Sequence, residues 1–178
     1  MNIIDQIISN YLNNKSLYIG EKVTISEHMI QTAMFAEKTN CSSNLVCSSL
    51  LHDYGHFILE NPDGLVDKNK DGKHEDVGYE FLKEYFAKDV LGPIKYHVKA
   101  KRYLAREESY YKLLSEASKV SLKLQGGIMN YIEAEKFESN EFFKDSIKLR
   151  KFDEIAKKVG LKIKSINEYK NLLTSKLI

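Results

Sequence analysis

Proline, cysteine and tryptophan are scarce: the 178 residues include two prolines, two cysteines and no tryptophan. With so little proline to interrupt them, stretches rich in Leu, Lys, Glu and Ala default to helix. Cys41 and Cys47 do not form a Cys-x-x-Cys pair, which excludes a zinc knuckle or a dithiol redox motif. Two free thiols fit a reducing compartment. Met1 to Ile8 lack a basic segment followed by a long apolar run, so no secretory leader is expected and the chain reads as cytoplasmic. No stretch approaches the roughly 20 apolar residues that cross a bilayer, so no membrane partner is expected. Charge of one sign is missing too. Lys and Arg number 27 against 25 Asp and Glu, a net charge of +2. That surface attracts a small anion weakly and does not describe a nucleic-acid binder.

What is present is helical periodicity. Ile3, Ile4, Ile7, Ile8, Tyr11 and Leu12 mark a first amphipathic helix. Thr24-Ile-Ser-Glu27 has the form of a capping box and opens a second helix to about Asn40. A third, Ser43 to about Tyr54, is apolar on nearly all sides and is expected at the centre. Asn61 to Gly64 and Lys68 to Gly72 read as a turn-rich loop. Helical spacing returns at Glu75–Phe86, Val90–Leu104, Tyr110–Leu124, Met129–Glu138 after Gly126-Gly127, and Glu141–Val159. Ser165-Ile-Asn-Glu168 is a second capping box that starts the last helix. No alternating strand pattern and no internal repeat occur. The expectation is an all-α, single-domain helical bundle over 1–178, with a core of about 18–160 and a C-terminal helix of about 165–176.

All five histidines, His28, His52, His56, His74 and His97, fall in the first 97 residues, in or beside expected helices. His52, Asp53 and His56 stand at i, i+1 and i+4, so the two imidazoles share a helix face with the carboxylate at its edge. Imidazole and carboxylate together suit Fe, Mn, Zn or Ni, and a carboxylate has two oxygens with which to bridge a pair of ions. A single His-Asp pair carries no such weight, since a lone histidine on an apolar face is ordinarily a hydrogen-bonded core residue. Clustering of several such residues on helices that must pack together is what points to metal. Asp153 stands inside the stripe of Leu149, Phe152 and Ala156, where an uncompensated carboxylate costs several kcal/mol or more. The competing reading places it at an edge, in solvent or paired with Lys157. Lys101 and Arg150, taken alone, are solvated helix charges. Beside a metal pair they suit a phosphate or phosphonate group. Tyr18 and Glu21, taken alone, are a loop tyrosine and a surface glutamate.

The order His28, His52-Asp53, His74, His97 and a late Asp153 resembles the HD superfamily. More narrowly, the chain resembles the mixed-valent diiron oxygenases of the PhnZ type, of which inositol oxygenase is a distant cousin. The landmarks run from Tyr18 to about Gly160. They are Tyr18-Ile-Gly-Glu21, Leu51-His-Asp-Tyr-Gly-His56, His74-Glu75, His97-Val-Lys-Ala-Lys101, Leu114-Ser-Glu-Ala-Ser118, Leu124-Gln-Gly-Gly127 and Leu149-Arg-Lys-Phe-Asp153. The resemblance implies two iron ions, Fe(II)/Fe(III), with O2 as co-substrate. His28, His52, Asp53 and Asp153 would hold one iron, and Asp53 would bridge to a second held by His74 and His97. Tyr18 and Glu21 would form a substrate-responsive lid, with Glu21 near an amine. His56, Lys101, Ser118 and Arg150 would cradle a phosphonate. The implied reaction oxidatively cleaves the C–P bond of a small 1-hydroxy-2-amino or 2-trimethylammonio alkylphosphonate and releases phosphate. It removes hydrogen from the hydroxyl-bearing carbon before oxygen is inserted. A monomer or weak homodimer is expected. Most HD proteins are hydrolases, so a metal-dependent phosphohydrolase of a small phosphate ester or nucleotide stays open, as does a metal-binding module without turnover. The chain departs from the family at Ile128-Met-Asn130, where Pro-Met-Ser is expected, which bears on the pocket wall and the substrate rather than on the metals.

Overall fold

The computed structural model describes residues 2–18, 20–59 and 72–178. Among the described residues there is no strand, only two isolated antiparallel bridges, Leu17 with Thr24 and Phe86 with Leu177. The all-α expectation holds. Among the described residues no helix is long and apolar enough to cross a membrane. The loop expected at 61–64 and 68–71 lies outside the described residues.

Helices α1 (Ile3–Asn13), α2 (Ile25–Lys38) and α3 (Ser43–Leu51) start on side-chain caps from Asn2, Thr24 and Ser42. Each cap oxygen satisfies an amide that the first turn cannot. At Thr24 the full box forms, with Glu27 returning a carboxylate oxygen to the Thr24 amide at 2.7 Å. The central helix is α3, whose Leu45, Val46, Cys47, Leu50 and Leu51 are all buried. It ends three residues earlier than the periodicity predicts. His52 folds its Nδ1 back onto the Ser49 carbonyl at 2.9 Å. Beyond it the bonding tightens to three-residue spacing, Tyr54 to Leu51, His56 to Asp53 and Phe57 to Tyr54. His52 and Asp53 therefore lie in a turn, and His56 belongs to a separate short helix, α4 (Gly55–Ile58). The shared helix face expected for His52 and His56 is not formed.

Next come α5 (His74–Leu82) and the long α6 (Lys88–Leu104). The expected helix over 110–124 is two, α7 (Glu108–Leu113) and α8 (Glu116–Leu124). Leu114 is extended, and the Ser115 hydroxyl accepts from the Ser118 amide to start α8 afresh. Then follow α9 (Tyr131–Glu138), with a capping box at Asn130, and α10 (Phe143–Ile155), shorter at both ends than Glu141–Val159. The expected box at Ser165 opens a single 3-10 turn (Ile166–Tyr169) leading into α11 (Lys170–Ser175).

Around α3 pack α2, α6 and α10, and α6 and α10 share the largest helix contact. The inner faces of α2, α3, α6 and α10 thus meet in one place. Helix α5 reaches it by an unusually close approach to α4. A Cβ on Gly55 would lie 2.0 Å from the His74 carbonyl oxygen, and one on Gly78 would lie 3.0 Å from the Gly55 nitrogen. Only glycine allows these backbones to touch.

Candidate metal centre

Six donors converge where those helices meet. His28 comes from the second turn of α2, His52 and Asp53 from the turn that follows α3, His74 from the start of α5, His97 from mid-α6 and Asp153 from the end of α10. His28, His52 and Asp53 are fully buried, and Asp153 and His97 nearly so.

The imidazoles are set by their outer nitrogens. His28 Nδ1 meets the Ala156 carbonyl at 2.9 Å, His52 Nδ1 that of Ser49 at 2.9 Å and His97 Nδ1 that of Ile94 at 2.6 Å. A carbonyl accepts only, so each Nδ1 carries a proton, and in the neutral ring it is the Nε2 lone pair that turns inward. Outer carbonyls that fix the tautomer are the usual support for a metal-ligating histidine. The Ala156 carbonyl is available because α10 ends there, and Gln31 pins that end by a two-way amide clamp on Lys158 at 2.9 and 3.0 Å.

Inward, the donors divide into two sets around Asp53. Its Oδ2 lies 3.5 Å from His28 Nε2 and 3.3 Å from His52 Nε2, and its Oδ1 lies 3.1 Å from His74 Nε2 and 3.3 Å from His97 Nε2. On the first side the two Nε2 atoms are 3.2 Å apart, with Asp153 Oδ1 3.3 Å from His28; on the second they are 3.0 Å apart. The same division groups His28, His52 and Asp153 on one side, and Asp53, His74 and His97 on the other.

Facing lone pairs at such distances repel unless a positive charge lies between them. A cation about 2.1 Å from each donor, with donors at right angles, separates neighbours by about 3 Å. Both Asp53 oxygens and Asp153 Oδ1 are buried and accept no hydrogen bond from a neutral imidazole. The donor set therefore fits two cations with Asp53 between them. The electrostatics agree. Burial lowers the His28 imidazole, but Asp153 and Asp53 outweigh it and push it up to about 9; Asp53 raises His74 against burial likewise. Burial works against the charge of both acids, yet His52 and His74 hold Asp53, and Arg150 and His28 hold Asp153, well below the usual carboxylate range.

Asp153 does not pair with Lys157. The Arg150 guanidinium grips its Oδ2 and also the Glu154 carboxylate, and Nε donates to the Tyr110 hydroxyl at 2.9 Å. Five guanidinium N–H groups less three leaves two for another ligand.

Tyr18 and His56 stand beside the donors. Tyr18 stacks on the His28 ring, centroids 4.1 Å apart, and meets His56 edge-on. Its turn is closed by the Glu21 amide on the Tyr18 carbonyl at 2.8 Å, and docks on α8 through Gly20, where a Cβ would come within 2.5 Å of Ala117. His56 stacks on His74 with Nδ1 buried and unpartnered; burial, then His74, push it down to about 3, so it stays neutral. Lys101 donates to Ser121 at 2.6 Å and Gln125 at 2.9 Å, and burial, then Arg150, bring it down to about 7. Ser118 accepts from Lys157 at 2.9 Å. Sequence reading weighed Lys157 only as a mate for Asp153 and gave no role to the side chains of Ser115, Gln31 and Tyr110. Only Lys157, at i+3 from Glu154, had a visible cue.

The chain is similar to known proteins over most of its length. The HD domain family model matches residues 25–124, which include every donor but Asp153. A [1-hydroxy-2-(trimethylamino)ethyl]phosphonate dioxygenase (glycine-betaine-forming) of Leisingera caerulea is 42% identical over 145 residues, covering 81% of this chain and 74% of its own. A hydroxymethylphosphonate dioxygenase of Gimesia maris is 39% identical over 157 residues, 85% of this chain and 77% of its own. An uncharacterised protein of Acanthamoeba polyphaga mimivirus is 37% identical over 187 aligned residues, 97% and 84% of the two chains.

Proposed function

This chain belongs to the HD domain family, and from that premise we propose that it is a non-haem diiron oxygenase cleaving the C–P bond of a small 1-hydroxyalkylphosphonate. The expected substrate is a 1-hydroxy-2-amino or 2-trimethylammonio form, and the similarity to the Leisingera caerulea enzyme supports it. The observation that carries the reading is Asp53, whose two oxygens face two different histidine pairs. We assign one iron to His28, His52, Asp53 and Asp153, and the other to Asp53, His74 and His97. Imidazole and carboxylate without thiolate suit iron. When bound, the iron pair supplies the redox chemistry by which O2 oxidises the substrate.

The residues around it position the reactants. His56, neutral and with an unpartnered Nδ1, is placed to hydrogen-bond the substrate hydroxyl or a phosphonate oxygen. Lys101 supplies a compact charge, Ser118 a hydroxyl and Arg150 its two remaining N–H groups for the phosphonate oxygens. Arg150 also holds Asp153 in orientation. Tyr18 roofs the His28 side and keeps bulk water from it. The reaction balances without an added reductant. A substrate R–CH(OH)–PO3H2 and O2 give R–COOH and H3PO4; the C–H and C–P bonds break, and one oxygen atom enters each product.

The test is phosphate release from iron-loaded protein given 1-hydroxy-2-(trimethylammonio)ethylphosphonate or hydroxymethylphosphonate. Phosphate should appear one for one with O2 consumed and stop under argon. Turnover of phosphomonoesters without O2 would instead assign the site to hydrolysis.

A further inference from the structure

A carboxylate beside an aromatic face makes a place for a cation, and Glu21 and Tyr18 make one at the rim of the centre. In this chain a lysine of its own already stands there. Lys157 Nζ lies 3.3 Å from Glu21 Oε1 and 5.9 Å from the Tyr18 ring centroid. It donates to Ser118 Oγ at 2.9 Å and to Glu154 Oε1 at 3.3 Å. Both members of the pair are mostly enclosed, the Lys157 side chain 10% and that of Glu21 16% exposed. The Ser115 hydroxyl adds a hydrogen bond to the same Glu21 oxygen at 2.8 Å. Glu21 is thus neutralised and hydrogen-bonded by the chain itself.

The position of Lys157 links two regions. One side faces the Glu21–Tyr18 pair, and the other the Ser118 hydroxyl assigned above to phosphonate binding. The two dioxygenases similar to this chain differ, by name, in that one acts on a phosphonate with a trimethylamino group and the other on hydroxymethylphosphonate, which has none. A ligand without a cation leaves the Lys157–Glu21 pair intact and brings its phosphonate near the ammonium. A cationic ligand must take Glu21 from Lys157 or endure its repulsion at close range.

Resting on the oxygenase reading, we propose that Lys157 is a specificity-determining residue that competes with a substrate's ammonium for Glu21 and so narrows this chain's preference for cationic over uncharged 1-hydroxyalkylphosphonates. Lys157 acts by occupying the subsite and not by chemistry on the reacting carbon. Its effect therefore falls on binding and KM rather than kcat.

The experiment compares iron-loaded wild type, Lys157→Met, Lys157→Gln and Lys157→Arg. For each, calorimetric Kd and kcat/KM are measured with hydroxymethylphosphonate and with 1-hydroxy-2-(trimethylammonio)ethylphosphonate. Loss of the lysine charge should raise the cationic-to-neutral preference about tenfold through Kd and KM, and Lys157→Arg should keep the wild-type ratio. A ratio that moves less than about twofold in Met and Gln variants, or a parallel loss for both ligands, would overturn the assignment while leaving the oxygenase reading intact. Iron content lost in both variants would make Lys157 structural and overturn it as well. If wild type neither binds nor turns over either phosphonate, the oxygenase reading falls and takes this one with it.

Discussion

His28 and Ala156 are 128 positions apart, and one hydrogen bond of 2.9 Å between the His28 ring and the Ala156 carbonyl aligns α2 with the end of α10. It fixes which nitrogen of His28 faces inward, and it brings Asp153, three residues before Ala156, to the same point. The centre therefore depends on where α10 stops, which Gln31 controls through Lys158. Replacing Gln31 by Ala should cost about 1–3 kcal/mol of stability, since two partly buried hydrogen bonds of about 0.5–1.5 kcal/mol each are lost. It should also weaken iron retention about 10-fold or more, as loss of an outer ligand support does. Denaturant titration and iron content after dialysis check the two effects separately.

Asp53→Asn preserves the shape of the turn but removes the charge that both cation positions share. Iron bound per chain should fall from two to nearly none, and phosphate release by about 10³-fold or more. The circular dichroism spectrum should remain helical. Retention of both irons in the variant would contradict the shared role.

At Gly55 the α4–α5 contact leaves no room for a methyl group. Gly55→Ala should shift α5 and its His74, costing about 1–3 kcal/mol as overpacking does. Iron should be lost first from the side of His74 and His97, giving close to one iron per chain. Metal analysis against added iron reads this directly.

Lys101 gives a pH dependence of known sign. Burial and Arg150 hold its pKa at about 7 against an ordinary 10.5. Between those values the unfolded chain binds the proton and the folded one does not, so stability rises with pH across that window. Below about 7 both states are charged and the full cost of burying the ammonium is present. Wild type should gain stability from pH 7 to 10 relative to Lys101→Met, whose curve loses that slope. Affinity for a phosphonate should run the opposite way, falling as Lys101 loses its proton.

Metal binding should release protons. Asp153 and Asp53 push His28 up to about 9 against the effect of burial, so near neutrality a proton stands where a cation belongs, and a cation must displace it. Titrating iron into metal-free protein at pH 7.5 in buffers of different ionisation enthalpy should give heats that vary with the buffer. Heats independent of the buffer would contradict the assignment.

The donors were legible in the sequence because their chemistry is costly anywhere else. Asp153 inside an apolar stripe, and His52-Asp53 at the end of a buried helix, demand compensation wherever the chain folds. The capping boxes at Thr24 and Ser165 likewise mark helix starts by local bonding alone. What periodicity cannot supply is the partner across space. It left Lys157 as a candidate mate for Asp153, whereas Arg150 and His28 take that place and Lys157 turns to Glu21. Nor could it foresee the breaks at Leu51 and Leu114. The first comes with the His52 ring bonding the Ser49 carbonyl, the second with a serine restarting a helix.

The claim at the centre of this account is that Asp53 stands between two irons. Anomalous diffraction at the iron edge, from crystals grown with ferrous iron, tests it most directly. Two peaks about 3.5–4 Å apart, one on each side of the Asp53 carboxylate, are the predicted result. One peak alone, or peaks away from Asp53, would contradict it.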